Sequence, residues 1–497
     1  MNLHFPESKR RNDMRNRLLA VVLAVATIGA TSCGGGSSNE QTGGTSDCPV
    51  DLVDKAEKPI EITAWHIVNG LQLRTLEKIV KDYEASQPNV RVKLESQGSA
   101  VTELHSKMDQ ALPDRSLPAL VMPDDTKLRY IADSGQFLPA QACYDADPES
   151  KKIFDDILPI LKTSYSIDDQ LWPVGFTSGT GLVYYNRSHF EAAGLDPDSP
   201  PKTIDEMIEM GRKIKAAGVN DAPVVLKAQP WVFEWWLSGA QVPLVNNNNG
   251  RGEGLPTESE FGNPTTKTIL NKLRDAEKEG ILKVTPSAPT NSDHILAMAT
   301  QSSSMVIESS SGTTTIAGII DGTIKAADAK AQFGVDIPDG MKLDLDLGVG
   351  PLPGLEEAGL GQVGGMIWYI SNTVPAEQQS AAWDFMKYLN SPKAQMMMST
   401  DGGAVPNLVS VAESPELAET WSKSLGGRWQ KVATDVMSGV DSDFLGPVIG
   451  PYDEVRSAIA KAMDTVLLDG KAVDPAVANA DRTITKALES YAADVGG

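Results

Sequence analysis

At 497 residues the chain is longer than one hydrophobic core usually holds, so two lobes are expected. Its formal charge is −22, and because the first 32 residues carry +3, the remainder carries −25. So acidic a chain lacks the basic patches that nucleic acid or anionic lipid headgroups need, which argues against both as partners.

The first 32 residues read as an export signal. Lys9, Arg10, Arg11, Arg15 and Arg17 make a positive start, and residues 18–29 are an unbroken run of apolar and small side chains. That run is shorter than the roughly 20 residues a membrane-crossing helix needs. It ends in Ala30-Thr31-Ser32-Cys33, which resembles a bacterial lipobox and implies lipidation of Cys33. Residues 33–58 follow as a flexible tether, polar and glycine-rich at first, with nothing there to bury. The expected location is the outer face of the cytoplasmic membrane. There, acyl chains contribute roughly 0.8 kcal/mol per buried methylene. Cys48 and Cys143 remain, and an exported chain with two cysteines favours one disulfide; two buried free thiols are the alternative.

Residues 60–65 alternate apolar and polar as a strand. Leu73, Leu76, Ile79, Val80 and Tyr83 then fall at helical spacing until Pro88. Residues 90–94 form a second strand, 104–112 a helix, 119–122 a short apolar strand, and Leu128, Tyr130 and Ile131 mark another helix. This alternation predicts βαβ units and a mainly parallel sheet, with ligands bound beyond the carboxyl ends of its strands. His66 and Asn69 after the first strand, and Asp125 after the third, become candidate ligand contacts.

Two short apolar runs, 171–176 and 182–185, flank Thr177, Ser178, Gly179, Thr180 and Gly181. The runs read as strands, and the residues between them offer hydroxyls and bare backbone. A crossing between lobes that exposes Ser178 to a ligand fits this pattern; a simple hairpin is the alternative. Beyond it, 204–217 is a helix and 223–226 a buried strand. Next comes Pro230-Trp231-Val232-Phe233-Glu234-Trp235-Trp236, where Trp231 is the favoured stacking surface and Glu234 a polar candidate. Residues 246–254 read as a solvated polar loop. Residues 305–307 form a strand, and the hydroxyls and N–H groups of 308–315 would face a ligand if they open a helix. Gly364-Gly365 leads into a strand over 366–370, and helices are expected at 375–389, 415–429, 454–468 and 475–494. Residues 359–364 match G-x-G-x-x-G, but a loop precedes them and a strand follows, the reverse of a dinucleotide fingerprint.

Several of these pieces together resemble the extracellular solute-binding proteins of ABC importers (family 1), in their carbohydrate and glycerol-3-phosphate branch. They are Ile62-Thr63-Ala64-Trp65-His66, Tyr83-Glu84-Ala85-Ser86-Gln87-Pro88-Asn89-Val90, Gln97-Gly98-Ser99, Gly181-Leu182-Val183-Tyr184-Tyr185-Asn186, Ala193-Gly194-Leu195-Asp196-Pro197, Met305-Val306-Ile307-Glu308-Ser309, Gly364-Gly365-Met366-Ile367-Trp368, Ala382-Trp383-Asp384-Phe385 and Gly403-Ala404-Val405-Pro406. The resemblance implies an α/β fold of two lobes joined by crossing hinge segments, the type II periplasmic-binding-protein clamp. Lobe I is expected over 59–178 plus 345–400, and lobe II over 179–344 plus 401–497. It also implies ligand contacts at Asp125, at Ser309 or Ser310, and at the backbone of Gly364 or Gly365. The solute, a small polyhydroxylated molecule such as a sugar or oligosaccharide, would be captured by closure and passed to membrane permease subunits.

Three positions depart from the glycerol-3-phosphate binders: Ala100 and Ala404 stand where tyrosines are usual, and Pro447-Val448-Ile449 where a phosphate-pairing arginine is. A neutral saccharide is therefore expected, with a glycerol-3-phosphate or glycerophosphodiester receptor as the alternative and a secreted glycosidase as the second. Catalysis finds little support, since His4, His66, His105, His189 and His294 show no zinc spacing and no G-x-S-x-G elbow occurs. No cofactor and no metal are expected, and the chain is read as a monomer.

Overall fold

The computed structural model describes residues 48–496 apart from 99, 289–291, 335, 337, 341 and 360. The export signal, Cys33 and the first part of the tether lie outside the described residues. Along the chain the strands are β1 (Ile60–His66), β2 (Val90–Ser96), β3 (Leu120–Val121), β4 (Phe137–Leu138), β5 (Ser166–Ile167), β6 (Gln170–Leu171), β7 (Gly175–Gly179), β8 (Gly181–Asn186), β9 (Val224–Lys227), β10 (Leu282–Thr285), β11 (Met305–Ser309), β12 (Leu347–Pro351) and β13 (Gly364–Ser371).

They build two main sheets, one for each lobe of a clamp. The first has the order β2-β1-β3-β13-β4, with β7 also on β13. β1 runs parallel to β2 and β3, whereas β13 is antiparallel to β3, β4 and β7, so the sheet is mixed rather than mainly parallel. The second sheet has the order β10-β9-β11-β8-β12. Strand β8 is buried along its whole length because helices cover both faces. Val183 and Tyr185 point into one core cluster while Leu182 and Tyr184 point into the other, the period-two alternation of a strand.

Thr180 alone separates β7 from β8, so the chain steps from one sheet to the other within a single residue. The hydroxyl-rich stretch is a crossing and not a hairpin turn. A second crossing lies between Pro351 and Gly364, later than the boundary expected at 345. β12 stays with the second sheet because it pairs with β8 from Leu347 opposite Asn186 to Pro351 opposite Leu182. Gly348 permits that pairing, since a Cβ there would lie 2.5 Å from the Tyr185 ring.

Residues 246–254 are not a solvated loop. Asn247, Asn248 and Asn249 take left-handed backbone angles, which asparagine tolerates better than most residues. The turn buries Asn249, whose Nδ2 donates to the Leu445 carbonyl, and Arg251 Nε donates to the Gly446 carbonyl. One helix expected over 415–429 is two, Pro415–Ser422 and Leu425–Ser438.

Cys48 and Cys143 form a disulfide, both of them buried. The closed loop spans 95 residues. Replacing both cysteines with serine is expected to lower unfolding free energy by about 2–4 kcal/mol, mostly by freeing the unfolded chain. Denaturant titration of the variant against the oxidised protein checks this; equal midpoints would show that the bridge does not constrain folding.

Candidate functional site

The strand ends of both sheets open onto one cleft of about 320 Å³. From the first lobe come Asp124 and Asp125 after β3, and Gly364, Gly365 and Met366 at the start of β13. The crossing contributes Thr177, Ser178, Gly179 and Thr180. From the second lobe come Ser309, Ser310 and Ser311 at the end of β11, together with Trp231 and Trp235 on the helix Pro230–Gly239 that follows β9. Arg456, on the helix Tyr452–Leu467, completes one wall.

Asp125 opens a single helical turn, Asp125–Lys127, and its Oδ1 accepts the Gly365 N–H at 3.1 Å. Burial, and then the neighbouring Asp124 charge, raise its carboxyl to about 7. Asp124 has the opposite fate. Burial would raise it too, but the bond and charge of His105, with Arg456 and the Thr126 hydroxyl, outweigh burial and hold it below the ordinary carboxylate value. Of two adjacent carboxylates, one is thus firmly ionised and the other titrates near neutrality.

The Ser178 hydroxyl is 6% exposed and has no hydrogen-bond partner among the described residues. A buried unpaired hydroxyl is costly, and Ser178 is among the residues that line the cleft. Ser310 is already engaged: its Oγ accepts the Thr180 N–H at 3.1 Å and its own N–H donates to the Thr180 carbonyl. It fastens the crossing to β11. Ser309 Oγ lies 2.6 Å from Ser311 Oγ, at the open side of the cleft.

Trp231 and Trp235 meet edge to face, with ring centroids 5.1 Å apart and planes at 69°. Their rings lie close over the Gly181 backbone: a Cβ there would lie 3.1 Å from Trp235 and 3.2 Å from Trp231, so the rings would have to give by a few tenths of an ångström. The indole N–H of Trp231 donates to Gln229 Oε1 at 2.7 Å. That fixes its ring and leaves a π-face for apolar C–H groups.

Seven residues proposed from sequence therefore line one cleft: Asp125, Ser178, Trp231, Ser309, Ser310, Gly364 and Gly365. Three do not. His66 ends β1 on its inward face beside Ile62 and Ala64, at 2% exposure, so it packs in the core. Asn69 stands just before the helix Gly70–Ser86, where its carbonyl accepts the Leu73 N–H, and Gln72 reaches the cleft instead. Glu234 turns away from the cleft and grips Arg456, accepting from Nε at 2.9 Å and from Nη2 at 3.0 Å. Arg456, Asp124, Trp235 and Gln72 are cleft residues that the sequence reading missed. Arg456 also alters the expectation that the late segment lacks a guanidinium, since one reaches the site from a few residues beyond 447–449.

Two lobes crossing at Thr180 and closing on a cleft at their strand ends define a type II periplasmic-binding-protein clamp. Residues 78–423 match the family model of the bacterial extracellular solute-binding proteins, and the chain belongs to that family. It is 22% identical over 373 residues to the sn-glycerol-3-phosphate-binding periplasmic protein UgpB of Brucella abortus (strain 2308), covering 74% of this chain and 79% of that one. Its fold resembles the cyclic alpha-maltosyl-1,6-maltose binding protein from Arthrobacter globiformis, with a TM-score of 0.67 at 20% identity, over 87% of this chain and 100% of that one. It also resembles UgpB from Mycobacterium tuberculosis, solved with glycerophosphocholine, with a TM-score of 0.68 at 18% identity, over 88% and 100%. Among the described residues no helix is long and apolar enough to cross a membrane.

Proposed function

We propose that the protein is the receptor of an ABC importer for a neutral, polyhydroxylated solute, a sugar or short oligosaccharide. It grips the solute between the lobes and hands it unaltered to membrane permease subunits. Lipidation at Cys33 would keep it at the outer face of the cytoplasmic membrane. The observation that carries the ligand class is the state of Arg456. Its guanidinium is bidentate to Glu234 and reaches Asp124 at 3.3 Å, so its charge is already neutralised. A phosphate dianion placed there would meet Asp124 and Asp125 without a free cation to offset them. Hydroxyl groups, by contrast, donate to Asp125 and bond Ser178, while C–H faces stack on Trp231.

The test is a melting-shift screen with maltose and other neutral saccharides beside glycerol 3-phosphate and glycerophosphocholine. A bound ligand raises the unfolding midpoint with concentration. The expected result is a shift with a neutral saccharide, none with glycerol 3-phosphate, and no hydrolysis product. A second reading, a receptor for glycerol 3-phosphate or a glycerophosphodiester, is favoured by the relatives named as glycerol-3-phosphate binders and predicts a shift with glycerol 3-phosphate or glycerophosphocholine and none with a saccharide. With the ligand in hand, Trp231→Ala is expected to weaken binding by about 1–3 kcal/mol, or roughly 5- to 150-fold in Kd. Unchanged calorimetric affinity in the folded variant would remove Trp231 from the site.

A further inference from the structure

We propose that His105 is a positioning residue: its ring joins Asp124 in the cleft wall to Asp453 on the helix Tyr452–Leu467, and so latches the two lobes together beside the ligand. The inference rests on reading the cleft as the ligand site. His105 belongs to the helix Val101–Ala111, which links β2 to β3 of the first lobe, and it is 3% exposed. The helix Tyr452–Leu467 packs on the second-lobe helices Pro230–Gly239 and Pro264–Lys278. The contact therefore crosses between the lobes.

The surroundings favour the charged ring. Nδ1 hydrogen-bonds Asp453 Oδ1 at 3.1 Å, and Nε2 stands 3.2 Å from Asp124 Oδ1, within ion-pair range though not aligned for a hydrogen bond. Neutral imidazole has a single N–H, which Asp453 takes; only imidazolium also carries positive charge to Asp124. The surrounding groups extend the pattern. Lys127 Nζ is 2.9 Å from Asp453, and Arg456 stands between Asp124 and Glu234. Lys127, Asp453, His105, Asp124, Arg456 and Glu234 thus alternate in sign from one lobe to the other. Other titratable groups nearby include Asp125, Glu454, Tyr452, which donates to Glu234 and lies under Arg456, Tyr130 under Lys127, and Asp109, which accepts from Tyr130. With His105 neutral, three carboxylates in that row face two cations.

The sign of the pH dependence follows. Burial lowers the imidazole, but its bonds to Asp124 and Asp453 outweigh burial and leave it above the ordinary value. A raised histidine gives its full stabilisation below the unfolded value of about 6.5 and loses it as pH climbs through the folded one. Asp453 is lowered and loses its share only in strong acid. Asp125, raised to about 7, contributes a separate fall between its unfolded value and neutrality.

The test uses ligand-free protein over about pH 5–9, the range across which imidazole titrates. It reads unfolding midpoint and radius of gyration from small-angle scattering. The wild type should lose stability and expand as pH rises; H105Q should keep only the Asp125-linked fall below neutrality, show no further loss and no expansion above it, and sit at the level of the alkaline wild type. D125N should remove only the part of the fall below neutrality. If H105Q does not fold, D453N, which alters a half-exposed partner, must abolish the same pH response. An H105Q or D453N variant that tracks the wild-type profile in both readouts overturns the proposal. A saccharide screen without any melting shift would sink the solute reading, and the pH profile would still decide the role of His105.

Discussion

Replacing Arg456 with methionine is expected to cost about 3–5 kcal/mol of stability, the usual loss when one member of a buried ion pair is removed. The reason lies in the partner left behind. The Glu234 side chain is 0% exposed, whereas Arg456 is 22% exposed toward the cleft. Without the guanidinium, Glu234 keeps one hydrogen-bond donor among the described residues, the Tyr452 hydroxyl at 3.1 Å. Asp124 loses the same cation. The double variant Arg456→Met with Glu234→Gln should recover most of the loss, because no unpaired charge stays buried. Denaturant titration of the single and double variants measures the loss and its recovery. A loss under about 1 kcal/mol, the worth of an exposed pair, would mean that the network is a surface ornament.

That same network marks the limit of what local sequence shows. Asp125, Ser178, Trp231, Ser309 and Gly365 are legible because each follows or begins a strand, and strand ends are where such sheets bind ligands. Arg456 has no such signature. Its partners stand 222 and 332 residues away, and nothing near position 456 specifies them. The local clue is a cation near the N-terminal end of a helix, where the backbone dipole disfavours positive charge and some compensation is implied. His66 could have been placed correctly, since the alternation of β1 sends it inward with Ile62 and Ala64. The asparagine turn is misleading by composition: polar residues suggest solvent, but the Asn249 side chain donates to the Leu445 carbonyl and the Asn249 carbonyl accepts the Val448 N–H. The fold was more legible than the site because it depends on repeated local patterns. The site depends on which of these patterns meet.

Substituting Gly365 with alanine is expected to be as damaging, at about 2–6 kcal/mol, through backbone alone. Gly365 is the second residue of β13, opposite Ser178 of the crossing strand, with φ +145°. An added Cβ would stand 2.2 Å from the Thr177 carbonyl oxygen and 3.0 Å from Ser178 Cα. Both are backbone atoms of β7 and cannot swing aside. Dihedral strain contributes about 1–3 kcal/mol, and forcing the strands apart a similar amount. Separation would also pull the Gly365 N–H from Asp125, so affinity should fall together with stability. Gly364→Ala supplies the contrast. Its Cβ would lie 3.1 Å from Trp235 Cζ2, the edge of a side chain that can shift by a few tenths of an ångström. That variant should fold nearly normally and bind less well, because Trp235 moves within the cleft. Unfolding midpoints and calorimetric affinities of the two variants separate these effects. Wild-type stability in Gly365→Ala would show that β13 does not approach the crossing strand as closely as the binding geometry requires.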